Sequence, residues 1–164
     1  MKLLREFVEP QSGLIENLIV KGDGGEKNIL LRGIFAQADI INKNGRNYPR
    51  AILEREAYSL QKKIATNTLI GELDHPEKPE VLLKNAAIMI TSLKQKDNNF
   101  IGEAKILKTT PQGAVAYALA KEGLRFGIST RGLGSVNEKE GVKYVCEDYQ
   151  WLTVDLVCDP SAPD

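Results

Sequence analysis

The sequence predicts an α+β fold: a mostly antiparallel or mixed, barrel-like sheet flanked by helices. Three observations carry this. About six segments read as strands, mostly joined by short turns. Two segments with helical spacing each open on a proline, the residue suited to a helix's first turn. The alternating segments AAIMITSLKQ and NFIGEAKIL flank Lys96-Asp97-Asn98-Asn99, which is a hairpin signal. A chain of 164 residues is long enough for one compact domain with a real core.

Taken in order, residues 1 to 26 read as a separate arm. Short apolar clusters are interrupted there by Pro10, Gly13 and Gly22-Asp23-Gly24-Gly25. The arm has no long helical period, so it would dock in an extended form. NILLRGIFAQADII, residues 28 to 41, reads as a strand broken near Gly33. NKNGRNYP is a loop of turn formers ending at Pro49. Leu53, Ala57, Leu60 and Ile64 then recur on one helical face, which predicts a helix over 49–66.

TLIGELDHP is a short strand entering a loop that holds the chain's only histidine, His75. After the hairpin, Thr110 caps a second helix with Pro111 at its first position. Val115 and Leu119 mark its buried face and Gly123 its end. LRFGISTRGLGSV, residues 124 to 136, reads as a strand running into a glycine-rich turn. KYVCEDYQWLTVDLVCDP closes the domain as one long strand or two.

Composition removes several function classes. Lysine plus arginine and aspartate plus glutamate each number 22, so the formal charge is zero. A nucleic-acid-binding module normally carries a basic excess. No stretch approaches the roughly 20 apolar residues of a membrane span. The N-terminus has acids and a proline where a signal peptide has its apolar run. A soluble, cytosolic protein without nucleic-acid or membrane partners is expected. One histidine with Cys146 and Cys158 matches no zinc spacing, so neither metal nor cofactor is expected. Both cysteines are expected to be reduced, with Cys158 a small core residue of LTVDLVC.

A histidine base needs an oxygen or sulfur nucleophile within hydrogen-bond reach. Ser129 in FGISTRGLG is the best candidate, at a strand end before two glycines. A sharp turn at those glycines would let N–H groups face a developing oxyanion, with Arg131 adding positive charge. Ser135, past the turn, is second choice. Cys146 sits beside Glu147 and Asp148, which disfavour its thiolate. The base also needs an orienting partner, and no second histidine exists. Asp155 stands midway along an otherwise apolar strand, where an unpaired carboxylate is costly. It is the candidate third member, with Asp159 the alternative. Taken singly, each motif has a plainer reading. A lone histidine in a proline-flanked loop is more often solvated, STRGLG can be a simple strand-to-turn signal, and Asp155 can pair with a structural cation.

Together, NGRNYP, GELDHP, FGISTRGLG and DLVCDPSAP occur in the order seen in the prohead core proteases of T-even-type tailed phages, and residues 15 to 164 resemble that family. The family is similar in fold to the herpesvirus assembly proteases. The resemblance implies a serine endopeptidase with His75 as base and Ser129 as nucleophile. Asp155 would be third member, in place of the second histidine of the herpesvirus enzymes, and Arg131 would help hold the oxyanion. It implies cleavage after glutamate in (Leu/Ile)-x-Glu, with scaffold or core and major capsid proteins as substrates. The place of action would be the prohead, in the bacterial host cytoplasm, and a homo-oligomer is expected.

Such triplets recur in this chain, but only Leu4-Arg5-Glu6 and Leu14-Ile15-Glu16 fall in the arm. EPQSGLIEN then predicts self-cleavage between Glu16 and Asn17. That divides the chain into an autoinhibitory arm, residues 1–18, and a protease domain, residues 19–164. Uncut, Leu14, Ile15 and Glu16 are expected in the cleft near His75 and Ser129, of the same or of a neighbouring subunit. Two other readings compete: a non-catalytic phage tube or scaffold-associated β-barrel, which needs neither residue, and a small esterase or amidase, which needs no cleavable arm.

Overall fold

The computed structural model describes residues 1–21 and 25–158. Eleven strands and two helices are present among them. The largest sheet orders β2 (Ile15–Lys21), β3 (Lys27–Gln37), β7 (Asn99–Ile106), β6 (Ile88–Lys96) and β5 (Ile70–Gly71). A second sheet is β1 (Lys2–Val8), β8 (Gly127–Gly134) and β11 (Gln150–Val157). A third is β4 (Arg46–Asn47), β10 (Val142–Val145) and β9 (Val136–Lys139). The fold is mixed α+β and mostly sheet, as expected, but the barrel does not close. The outer strands β1 and β2 pair only with β8 and β3 among the described residues. A 3-10 turn, Pro10–Ser12, and Gly13 at φ 74° separate them, and proline has no N–H with which to extend a ladder.

Lys2–Val8 and Ile15–Lys21 are therefore strands within the sheets. β1 docks in the extended form the arm was expected to take, but beside Ser129's own strand. β6 and β7 form the predicted hairpin, turning at Asp97 with φ 56°. α1 (Arg50–Ala65) buries Leu53, Ala57 and Leu60 as the spacing predicts, with Ile52 in addition. α2 (Pro111–Lys121) begins as read, the Thr110 hydroxyl accepting from the Gly113 N–H at 3.0 Å. Its buried face differs. Gly113 and Ala116 are buried, whereas Val115 and Leu119 are exposed. Gly113 lies so close to Leu107 that an added Cβ would sit 1.7 Å from its carbonyl oxygen, so small residues set the contact face. Cys158 follows the last residue of β11 and is exposed, contrary to expectation.

RGLG, read as a turn, continues as strand β8. Its glycines serve packing. A Cβ on Gly132 would meet the Tyr149 ring at 2.5 Å, and one on Gly134 the same residue at 3.2 Å. One continuous core of aliphatic and aromatic residues joins the sheets and α1. No described helix is long and apolar enough to cross a membrane.

Candidate active site

Three neighbouring strands define the site. Phe7 of β1 and Asp155 of β11 both lie opposite Ser129 of β8. Directly paired residues on antiparallel strands present their side chains on one face. Arg5 and Thr153 flank Arg131 on that same face, two residues along. Glu6 and Val154, paired with Thr130, point the other way.

The histidine loop covers the Ser129 face. After β5, the chain runs beside β11. The Glu72 N–H donates to Asp155 Oδ1 at 2.9 Å, Leu156 N–H to the Glu72 carbonyl, and Asp74 N–H to the Leu156 carbonyl. Asp74 then adopts φ 64°, a left-handed conformation that aspartate tolerates better than most residues. This turn carries His75 across the sheet. Its ring lies against Phe7, with centroids 5.8 Å apart. His75 and Ser129 thus converge on one residue from sequence positions 54 apart.

Arg131 holds the loop in place. It is wholly buried, and its five N–H groups meet internal acceptors. Nε donates to Asp155 Oδ2 at 2.9 Å. Nη2 reaches Asp155 Oδ1 at 2.7 Å and Glu72 Oε2 at 3.0 Å. Nη1 reaches the carbonyls of Lys78 at 3.0 Å and Glu80 at 2.9 Å. The expected oxyanion role has no spare donor in this conformation. Asp155 is likewise occupied, both oxygens taking Arg131 and one also taking the Glu72 N–H. Burial pushes the Asp155 carboxyl up, against the pull of Arg131. The arrangement makes Asp155 and Glu72 anchors for Arg131, and Arg131 a clamp on residues 78 to 80. Asp159 lies outside the described residues.

Ser129 is buried, and its hydroxyl donates to the Thr130 carbonyl at 3.3 Å. Ser135 is bound to Asp148, its hydroxyl donating to Oδ2 at 2.6 Å, which with the Ser135 N–H holds that carboxyl below its usual range.

Leu14, Ile15 and Glu16 do not lie in this chain's own cleft. Ile15 is core, and Glu16 and Asn17 pair with Arg32 and Leu31 in the large sheet. The segment beside Ser129 is Leu4-Arg5-Glu6-Phe7. Arg5 Nη1 donates to the carbonyls of His75 and Pro76 at 3.2 and 3.3 Å. Glu6 turns to the opposite face, where its carboxylate receives Asn42 Nδ2 at 2.7 Å, Asn44 Nδ2 at 2.9 Å, Arg46 Nη1 at 2.7 Å and the Tyr48 hydroxyl. Sequence reasoning missed this cluster. NKNGRNYP looked like a loop of turn formers, and its signal was the arginine between asparagines beside a tyrosine.

The profile of the prohead core protein serine protease family matches residues 6–164. The prohead core protein protease of Enterobacteria phage T4 is 34% identical over 155 residues, covering 92% of this chain and 73% of that one. The solved structure of the bacteriophage T4 capsid assembly protease superposes with a TM-score of 0.87 at 32% identity, over 97% of this chain and 98% of that one. With the fold and length of the match in agreement, the chain belongs to the prohead core protein serine protease family.

Proposed function

We propose that the chain is a serine endopeptidase with Ser129 as nucleophile and His75 as general base. The observation that supports this most is that the chain's one histidine packs its ring on Phe7, the residue of the docked strand β1 that is paired with Ser129. In the reaction, Ser129 Oγ attacks the scissile carbonyl carbon while its proton passes to His75. The imidazolium then gives that proton to the departing amine as the C–N bond breaks, and water completes the cycle by hydrolysing the acyl-enzyme. Asp155 and Arg131 act through the loop that carries His75. We place the fold beside the herpesvirus assembly proteases on the resemblance of its motifs.

The substrates proposed are scaffold or core and major capsid proteins in the prohead, cut after glutamate in (Leu/Ile)-x-Glu. The enzyme is made as a zymogen and activated by cutting within its N-terminal strands. A cut between Glu16 and Asn17 requires β2 to peel from β3 first, because both residues are in that ladder.

A fluorophosphonate probe and intact-mass measurement test the proposal. The parent chain is expected to label at Ser129 and to lose N-terminal mass on incubation. Ser129→Ala and His75→Ala should each lower turnover by a factor of about 10⁴–10⁶ with the fold retained. Full activity in Ser129→Ala sinks the serine-protease reading.

A further inference from the structure

We infer that Glu72 and Asn85 are positioning residues for His75, their side chains joining the two halves of the loop that carries it. This rests on the serine-protease reading and names the residues that set the base in place.

The loop needs such a device. Its feet are fixed, since the Ala87 N–H donates to the Gly71 carbonyl at 2.9 Å and the Ala86 carbonyl accepts the Thr110 hydroxyl at 2.7 Å. Between the feet, no residue from 73 to 85 is fully buried, and only Leu73 of them packs against the core. A span with so little apolar burial opens readily unless hydrogen bonds hold it.

Glu72 supplies the contact between the halves. It is 6% exposed, and its carboxylate is met from three directions. Oε2 accepts the Leu82 N–H at 3.2 Å and Arg131 Nη2 at 3.0 Å, and Oε1 accepts Asn85 Nδ2 at 3.1 Å. Its backbone is tied to the Asp155 carboxylate and the Leu156 N–H. Glu72 is thus fixed to β11 through its backbone and holds residues 82 and 85 through its side chain. An acid kept only as a counter-ion for Arg131 would need neither of those donors, and Asp155 already meets Arg131 with both oxygens.

Asn85 makes the contact from a firm base. Its N–H donates to the Leu82 carbonyl at 3.0 Å, and the next two residues, Ala86 and Ala87, are buried. Among the described residues, the bond to Glu72 is the one hydrogen bond of its side chain. The effect reaches His75 because the intervening chain is stiff. Pro76 and Pro79 fix φ at two positions, and Arg131 holds the carbonyls on either side of Pro79. Movement of residues 82 to 85 away from Glu72 is passed along this span to the ring beside Phe7.

The full chain tests this. His75 is the only histidine, so its Cε1–H gives one identifiable signal in a 1H–13C NMR spectrum. Asn85→Ala removes one hydrogen bond and leaves Arg131 paired with Glu72 and Asp155. The His75 signal should shift and broaden in this variant, with the urea midpoint near that of the parent. The limiting rate of Ser129 labelling by a fluorophosphonate should fall about ten-fold, as expected for a misplaced base. The half-saturating concentration should stay within about two-fold, because probe binding is untouched. Glu72→Asp keeps a charge beside Arg131 but withdraws the carboxylate by a methylene, and should act the same way. Adding Asn85→Ala to it should change the rate by less than about two-fold, because both variants remove one contact. A His75 signal unmoved in both single variants overturns the inference whatever the labelling rate. Parent-like labelling in both, or additive losses in the double variant, overturns it too. A parent chain that never labels at Ser129, with the His75 signal moved in the variants, sinks the serine-protease reading and leaves the placement of His75 by Glu72 and Asn85 supported.

Discussion

Replacing Arg131 with methionine tests what holds the histidine loop. The change preserves bulk but removes every donor that the buried carboxylates share. Asp155 and Glu72, with side chains 1% and 7% exposed, would lose their cation. Breaking a buried pair by removing one partner costs about 3–5 kcal/mol. The carbonyls of Lys78 and Glu80 also lose donors, at about 1 kcal/mol each when left unsatisfied. Water reaching the loop would relieve part of this, so the expected loss is about 4–6 kcal/mol. That rivals the total stability of a typical domain, about 5–15 kcal/mol. Urea unfolding followed by Trp151, the only tryptophan and a buried one, gives the measurement in a Ser129→Ala background. Arg32→Met is the control, since its pair with Glu103 is half exposed and expected to contribute under about 1 kcal/mol. Asp155→Leu on top of Arg131→Met should recover part of the loss, because one unpaired buried charge is then gone. A loss in Arg131→Met no larger than in the control would refute the clamp and return Arg131 to a direct role in the reaction.

Three further outcomes are expected. Asp155→Asn should lower stability as well as turnover, because the amide cannot pair with Arg131; loss of turnover alone in a pH-rate and unfolding comparison would restore Asp155 as a partner of His75. Gly132→Ala should cost about 1–3 kcal/mol in thermal or urea unfolding, since the new methyl would stand 2.5 Å from the rigid Tyr149 ring; an unchanged midpoint would show that the ring has room to move. Burial holds the phenols of Tyr48 and Tyr149 well above the ordinary tyrosine range, so the folded state keeps protons that the unfolded state loses. Stability should therefore fall as pH rises through about 10 and be unaffected by these groups below it, and absorbance at 295 nm should show both phenols ionising only on unfolding.

The residues of the candidate site were easier to pick out in the sequence than their partners. His75, Ser129 and Asp155 stood out because each is a polar residue where its surroundings favour something else, and the fold brings their segments together. The hairpin and both helix starts were legible because their signals are local: alternation around Asp97-Asn98, and Pro49 and Thr110-Pro111 at helix entries. What failed depends on distant partners. The glycines of RGLG carry the same letters as a turn, and only the Tyr149 ring packed against them shows why they stay extended. Val115 and Leu119 have the right spacing for a buried face, but Gly113's closeness to Leu107 rotates the helix so that Ala116 faces inward. The first residues looked like a free arm because seven-residue strands carry weak signals until a partner edge is supplied. Of the two Leu/Ile-x-Glu triplets there, Leu14-Ile15-Glu16 was expected near Ser129; register instead sets Leu4-Arg5-Glu6 on the neighbouring strand and Glu16 in the β2–β3 ladder.

β1's alternation ties the polar cluster around Glu6 to the loop that carries His75. Its even-numbered residues Leu4 and Glu6 face the core and that cluster, while Arg5 and Phe7 face the loop. Removing the strand would therefore uncover Ser129, leave Asn42, Asn44, Arg46 and Tyr48 without the Glu6 carboxylate, and withdraw the Arg5 donor from the His75 and Pro76 carbonyls in one event. Loss of that donor would loosen residues 75 and 76, while the Asp74 N–H on the Leu156 carbonyl and the Arg131 contacts with Lys78 and Glu80 still tie the loop on either side of them. The clamp through Arg131, Asp155 and Glu72 uses no residue of β1, so it would keep the loop that carries His75 against β11 once that strand has gone.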